Sequence, residues 1–199
     1  MKYRILKVLV LATLPLVMSG CMFYHAPTFK GTLLDVDTKQ PIEGAVVVAQ
    51  YEKETMNIFG GGSGNTIINV REALTDRDGK FRIPSYTTVI DPFSWQSDMM
   101  FIIFKPGYVS LGFNLGDDFS YGGRKRDDYP TPWNKELKAK FPGNGVVELP
   151  SVKTREERMK VFYDLQIPYP GVPAEKMSVL LQLYNAESKF LGFDPIFLH

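Results

Sequence analysis

Between residues 29 and 114 the apolar residues fall in short alternating runs divided by glycine, proline, aspartate and asparagine, a pattern that commits the chain to a mainly β fold. The runs FKGTLLDVD (29–37), AVVVAQYE (45–52), IINVREAL (67–74), FRIPSY (81–86), MMFIIFK (99–105) and YVSLGFN (108–114) predict six strands, arranged as a meander or a sandwich. In the last of these Val109, Leu111 and Phe113 alternate with Ser110, Gly112 and Asn114, the signature of a strand buried on one face. MMFIIFK is apolar on both faces and so belongs at the centre of a sheet. The glycine-dense FGGGSGN (59–65) lacks the lysine and hydroxyl of a phosphate-binding loop and reads as a hairpin tip or linker.

The segment LTDRDGKFRIPSY (74–86) poses a choice between a calcium loop and a tight turn. An EF-hand loop takes acids at positions one, three and five, glycine at six and a bidentate glutamate at twelve. With Gly79 at six, Asp78 and Asp76 fall at five and three, but Leu74 and Ser85 occupy the first and twelfth places. A turn asks less: an aspartate such as Asp76 bonding its own backbone two residues on, and Gly79 at positive φ before Phe81 returns to the core. Asp35, Asp37 and Glu43 in DVDTKQPIEG (35–44) are read the same way, as turn residues.

Taken in order, GTLLDVDTKQPIEGAVV (31–47), LTDRDGKFRI (74–83) and FIIFKPGYVSLGF (101–113) resemble the carboxypeptidase regulatory-like domain. The features carrying the resemblance are the Asp-x-x-Thr turn, the Pro-Ile-x-Gly-Ala strand, the Thr-Asp-x-x-Gly-x-Phe hairpin and a late Gly-Tyr. The match covers less than half of the 199 residues. It implies a transthyretin-like or Ig-like antiparallel β-sandwich. Lys39 stands where glycine is common, and NIFGGGSGN lengthens one hairpin. Peptidase activity does not come with the resemblance, because in metallocarboxypeptidases the zinc sits in a separate catalytic domain. The chain has two histidines, His25 and His199, and neither is spaced with a second ligand as zinc on one helix requires. The C-terminal Tyr-Arg-Gly-Ser of the transthyretin-like hydroxyisourate hydrolases is also missing.

Upstream of the strands, Lys2, Arg4 and Lys7 precede an apolar run from Val8 to Met18, too short to span a bilayer of roughly 30 Å. The run ends in LVMSGC, which resembles the bacterial lipoprotein signal. The resemblance implies cleavage after residue 20 and a diacylglyceryl thioether plus an N-acyl chain on Cys21, the chain's one cysteine. Several acyl chains, at about 0.8 kcal/mol per buried methylene, make a lasting anchor. Met22 rather than aspartate after the cysteine implies the outer membrane, facing the periplasm. Loss of residues 1–20 removes three positive charges from a formal +1, leaving about −2. No basic stripe for nucleic acid follows, and GRKRDD (123–128) mixes three cations with two acids as a solvated loop does.

Residues 151–199 change character and predict a helical hairpin. Thr154 and Glu157 form a capping box, Val161, Phe162 and Leu165 make an apolar stripe, and Pro168 ends it. Pro173 opens a second helix carrying Met177, Leu180, Leu181 and Tyr184, with Gly192 as its stop. The connection 114–144 is long for a compact domain and holds Phe119, Tyr121, Tyr129 and Trp133, rings able to stack on a sugar or a protein, or to close one end of the sandwich.

The expected organisation is a signal at 1–20, a tether at 21–27, the sandwich at 28–150 and a helical extension at 151–199. No Gly-x-Ser-x-Gly elbow is present, and the one cysteine is committed to the anchor rather than to a histidine base. The expectation is therefore a non-catalytic, cofactor-free protein-binding or scaffolding lipoprotein, with glycan or peptidoglycan binding as the alternative. The adjacent acids Asp117–Asp118 and Asp127–Asp128 read as solvated loop residues, and a hydrolase built on two carboxylates distant along the chain is the third expectation.

Overall fold

The computed structural model describes residues 23–56, 60–97, 99–114, 145–165, 167 and 172–195. Among them lie β1 (Phe23–Ala26), β2 (Phe29–Asp35), β3 (Val46–Met56), β4 (Ser63–Leu74), β5 (Lys80–Ile83), β6 (Tyr86–Val89), β7 (Ser94–Gln96), β8 (Met100–Phe104), β9 (Leu111–Asn114) and β10 (Val146–Leu149). Two helices follow, α1 (Arg155–Asp164) and α2 (Ser178–Leu191), the second entered through a 3-10 turn at Ala174–Met177. The fold is mainly β, a sandwich with a C-terminal helical layer.

The larger sheet runs β4-β3-β8-β9, with β7 beside the distal part of β3. As its two apolar faces require, β8 is an inner strand, paired with β3 and β9. Phe101 and Ile103 point into the sandwich with Val47 and Ala49, against Leu33, Phe81, Ile83, Val147 and Leu149 of the smaller sheet. Ile102 and Phe104 point the other way with Val46 and Val48, beneath Met177 and Leu180. Burying both faces of one sheet is what holds the helical layer on.

The opposing layer is a ribbon with a break in it. Phe23 faces Val89 and Ala26 faces Tyr86; beyond the break Phe29 faces Ile83 and Thr32 faces Lys80, so both strands advance by equal steps and keep one register throughout. Pro27 and Pro84 sit at the break, where a residue without an N–H cannot continue the ladder. The run FRIPSY is thus divided between β5 and β6. The inward set also switches, from Tyr24 and Ala26 to Leu33 and Asp35.

Three further expectations change. Residues 23–26, read as tether, are a strand, because Tyr24 and Ala26 are fully buried. The Tyr24 ring meets Tyr51 edge-on at 6.2 Å and Tyr86 at 6.0 Å, and burial pushes its phenol up to about 12. The sandwich is not wholly antiparallel, since β10 runs parallel to β2. Finally, the segment 108–114 is not open on one face: Ser110 and Gly112 are buried, and the Ser110 hydroxyl donates to the carbonyl of Val161 in α1 at 3.3 Å.

The capping box of α1 and the stop of α2 fall where the sequence placed them. In contrast, α2 begins at Ser178 after a 3-10 turn rather than at Pro173, and Pro168, read as the end of α1, lies outside the described residues. Thr154 Oγ1 accepts from Glu157 N–H at 3.1 Å while Glu157 Oε2 accepts from Thr154 N–H at 2.9 Å, the reciprocal capping box. Gly192 ends α2 at φ +85°. Phe162 stacks on Tyr184 at 4.3 Å, and Arg158 pairs with the buried Glu187. The sheet supplies the missing N-cap of α2: Glu72 of β4 accepts from the N–H groups of Val179 and Leu180 at 3.0 and 2.8 Å. Burial raises the Glu72 carboxyl above its ordinary value, and those two N–H groups offset only part of the rise. Among the described residues no helix is long and apolar enough to cross a membrane.

Candidate functional site

The Asp76-Arg77-Asp78-Gly79 segment is a turn in which the side chain of Asp76 organises the backbone. Its Oδ1 accepts from the N–H of Asp78 at 3.0 Å and of Lys80 at 2.8 Å, and its carbonyl accepts from Gly79 N–H at 2.9 Å. Gly79 takes φ +71°, and a Cβ there would stand 2.4 Å from the Leu33 carbonyl. Asp35 does the same work in the other turn, accepting from Asp37 and Thr38 N–H at 3.0 and 2.8 Å. Burial pushes its carboxyl up, but the Thr38, Asp37 and Tyr108 donors outweigh it and the net shift is downward. Lys39 is at φ +58°, a left-handed conformation that costs a non-glycine residue energy.

By bending the chain over Leu33, the Asp76 turn builds one wall of an open cleft of about 600 Å³. It is lined by Phe81, Ala73 and exposed Leu74 together with Lys30, Lys80 and Arg82. Strand alternation turns Lys80 and Arg82 to the face opposite the buried Phe81, and the ladder sets Lys30 directly opposite Arg82 and Thr32 opposite Lys80. Lys80 Nζ is neutralised by Asp78 Oδ2 at 3.0 Å. Lys30 and Arg82 have no ion-pair partner among the described residues.

Like charges directly opposite one another weaken a sheet, so this pair acts against stability. What it supplies is a planar guanidinium with five donors beside an ammonium, suited to carboxylates. Neither residue stood out in the sequence, where they lie far apart and only the ladder brings them together. The missing signal was the register itself.

The aromatic candidates Phe119, Tyr121, Tyr129 and Trp133 lie outside the described residues, as do Cys21, His199 and the acid pairs at 117–118 and 127–128. Their connection nevertheless has a defined point of return. It leaves after Asn114 of the edge strand and rejoins at Gly145, whose carbonyl accepts from Thr32 N–H at 2.6 Å on the cleft wall. Gly145 lies so close to the Lys30 and Gly31 backbone that a Cβ would stand 2.6 Å from the Lys30 carbonyl. His25 is exposed and its Nδ1 lies 2.8 Å from Thr87 Oγ1. Among the described residues no group of three or more His, Cys, Asp or Glu side chains is placed to hold a metal ion.

No protein-family model and no curated protein matches the chain. Among solved structures it is similar to 3-chlorocatechol 1,2-dioxygenase from Rhodococcus opacus 1CP, with 15% identity and a TM-score of 0.29, over 66% of this chain and 61% of that one. It is also similar to catechol 1,2-dioxygenase from Acinetobacter radioresistens, with 16% identity and a TM-score of 0.28, over 69% of this chain and 54% of that one. The chain thus spans less than two thirds of either enzyme, at similarities too low to carry an argument about activity.

Proposed function

We propose that this chain is a lipid-anchored protein of the bacterial envelope, held by Cys21, whose β-sandwich is a non-catalytic module that docks an acidic segment of a protein partner. The observation that carries the binding half is the directly opposed Lys30–Arg82 pair, which lines the cleft together with Phe81, Ala73 and Leu74. An unrelieved like-charge pair costs stability in the free protein and is relieved when a carboxylate bridges it. Phe81, Ala73 and exposed Leu74 add apolar contact in the same cleft. The anchoring half rests on the LVMSGC signal.

A photocrosslinking residue at Leu74, on the exposed cleft wall, tests this in the native envelope. The expected result is a discrete protein adduct that disappears when Lys30→Glu and Arg82→Glu are combined. An adduct indifferent to charge reversal contradicts the proposal. Retention on peptidoglycan that is lost in Trp133→Ala, with no protein adduct, replaces it with the glycan reading through Tyr121, Tyr129 and Trp133.

A further inference from the structure

At the end of the molecule opposite the cleft, five large apolar side chains stand in solvent. Phe23, Met56, Val89, Phe93 and Trp95 are each between 41% and 61% exposed. Phe23 and Val89 are cross-strand partners on the outward face of the β1–β6 ribbon. Met56 N–H donates to the Phe93 carbonyl at 3.0 Å, and Trp95 faces Glu54 across the β3–β7 ladder. His25 N–H reaches the Gln96 side chain at 3.4 Å, which joins the two groups at one end.

Among the described residues, charges at this end are partnered: Lys53 with Asp91, and Glu54 accepting both the Ser63 hydroxyl and Trp95 Nε1–H. An apolar surface with its charges tied off, and an indole holding its own N–H bond, matches the belt where a bilayer meets water. The covalent chain supplies the decisive constraint. Cys21 stands two residues before Phe23, a span of at most about 7 Å. Whatever holds the sulfur of Cys21 holds this end of the sandwich against it.

We infer that this end is a bilayer-docking surface, seating Phe23, Val89, Phe93 and Trp95 at the headgroup–acyl boundary beside the lipidated Cys21. The inference rests on the lipid-anchor reading and goes beyond it. An anchor alone leaves the domain free to tumble, whereas a docked end fixes its orientation and turns the cleft away from the membrane. The β3 strand runs from the cleft side at Val46, which faces Leu74, to Met56 at the apolar end. Its eleven residues separate the two ends by roughly 33 Å.

The test uses the lipidated protein purified from membranes and placed in phosphatidylethanolamine/phosphatidylglycerol vesicles, with Trp133→Phe leaving Trp95 as the single tryptophan. Lipids brominated high on their acyl chains are expected to lower Trp95 emission markedly, since interfacial side chains lie at the headgroup–acyl boundary, while aqueous iodide quenches it little. Phe23→Asp with Val89→Asp, both exposed positions, is expected to reverse the two sensitivities with the anchor intact. Strong iodide quenching with no bromine effect in the parent protein overturns the inference.

Mass analysis of the N-terminal fragment keeps the two readings apart. A fragment without lipid on Cys21 removes the anchor reading. Coupling the sole cysteine to a maleimide-bearing lipid in the vesicles then tests docking alone, with the same two quenching outcomes deciding it.

Discussion

The two ends of the sandwich are opposites in how they treat charge. At the apolar end every charge with a described contact has a partner: Lys53 with Asp91, Glu54 with Trp95 and Ser63. Around it Phe23, Val89 and Phe93 are left in solvent. At the cleft end Lys30 and Arg82 face each other with no ion-pair partner among the described residues. Both features work against a protein alone in water, one by exposing apolar surface and the other by like-charge repulsion. Each makes sense against a different neighbour, lipid at one end and an acidic chain at the other. One continuous register joins the ends, from Phe23–Val89 to Thr32–Lys80.

Breaking the apolar end from within gives the largest effect. Tyr24→Ala empties a fully buried site between Tyr51 and Tyr86. The loss expected is about 3–5 kcal/mol by denaturant unfolding, the range for a large aromatic truncated in a core. Amide exchange in β1 and β6 then rises more than in β5. At the cleft end Gly79→Ala forces a side chain into φ +71° and into the Leu33 carbonyl. It costs roughly 1–3 kcal/mol and weakens binding in the cleft with it.

The difference sharpens with Arg82→Glu, which turns the opposed pair with Lys30 into an attraction. Stability is expected to rise by roughly 0.2–1 kcal/mol while partner capture falls; a loss of both contradicts a functional reason for the pair. The smallest effect is in acid. The Lys53 hydrogen bond, with that of Ser94, holds the Asp91 carboxyl at about 2. Its contribution to stability is complete above the ordinary carboxylate range and is lost as pH falls through about 2. Unfolding midpoints measured down this window should fall less steeply in Asp91→Asn.

How much of this was legible in the sequence depended on how local the cause was. The Asp76 turn, the capping box at Thr154 and the stop at Gly192 were each readable because their partners lie within four residues. The inner place of β8 was readable from its own two apolar faces. β1 was not, since four residues next to Pro27 carry too little alternation, and its burial is decided by Tyr51 and Tyr86 far along the chain.

The parallel pairing of β10, the cover over Ser110 and the facing of Lys30 with Arg82 are all long-range consequences of register. No window of sequence contains both partners. The cleft therefore escaped a reading that placed binding in the aromatic connection, although that connection rejoins the fold on the cleft wall.

If the apolar end sits on the bilayer, the sandwich is held upright with the cleft turned away from it. Because Cys21 is the chain's only cysteine and is acylated in this account, Asp78→Cys at the exposed turn offers one labelling site beside the cleft. Energy transfer from a dye there to acceptors in the headgroups of vesicles carrying the lipidated protein measures its height. A separation of roughly 30 Å, collapsing when Phe23 and Val89 are made aspartate, is the result predicted. A dye within about 10 Å of the headgroups in the unaltered protein, shorter than the β3 strand that must stand between them, would contradict it.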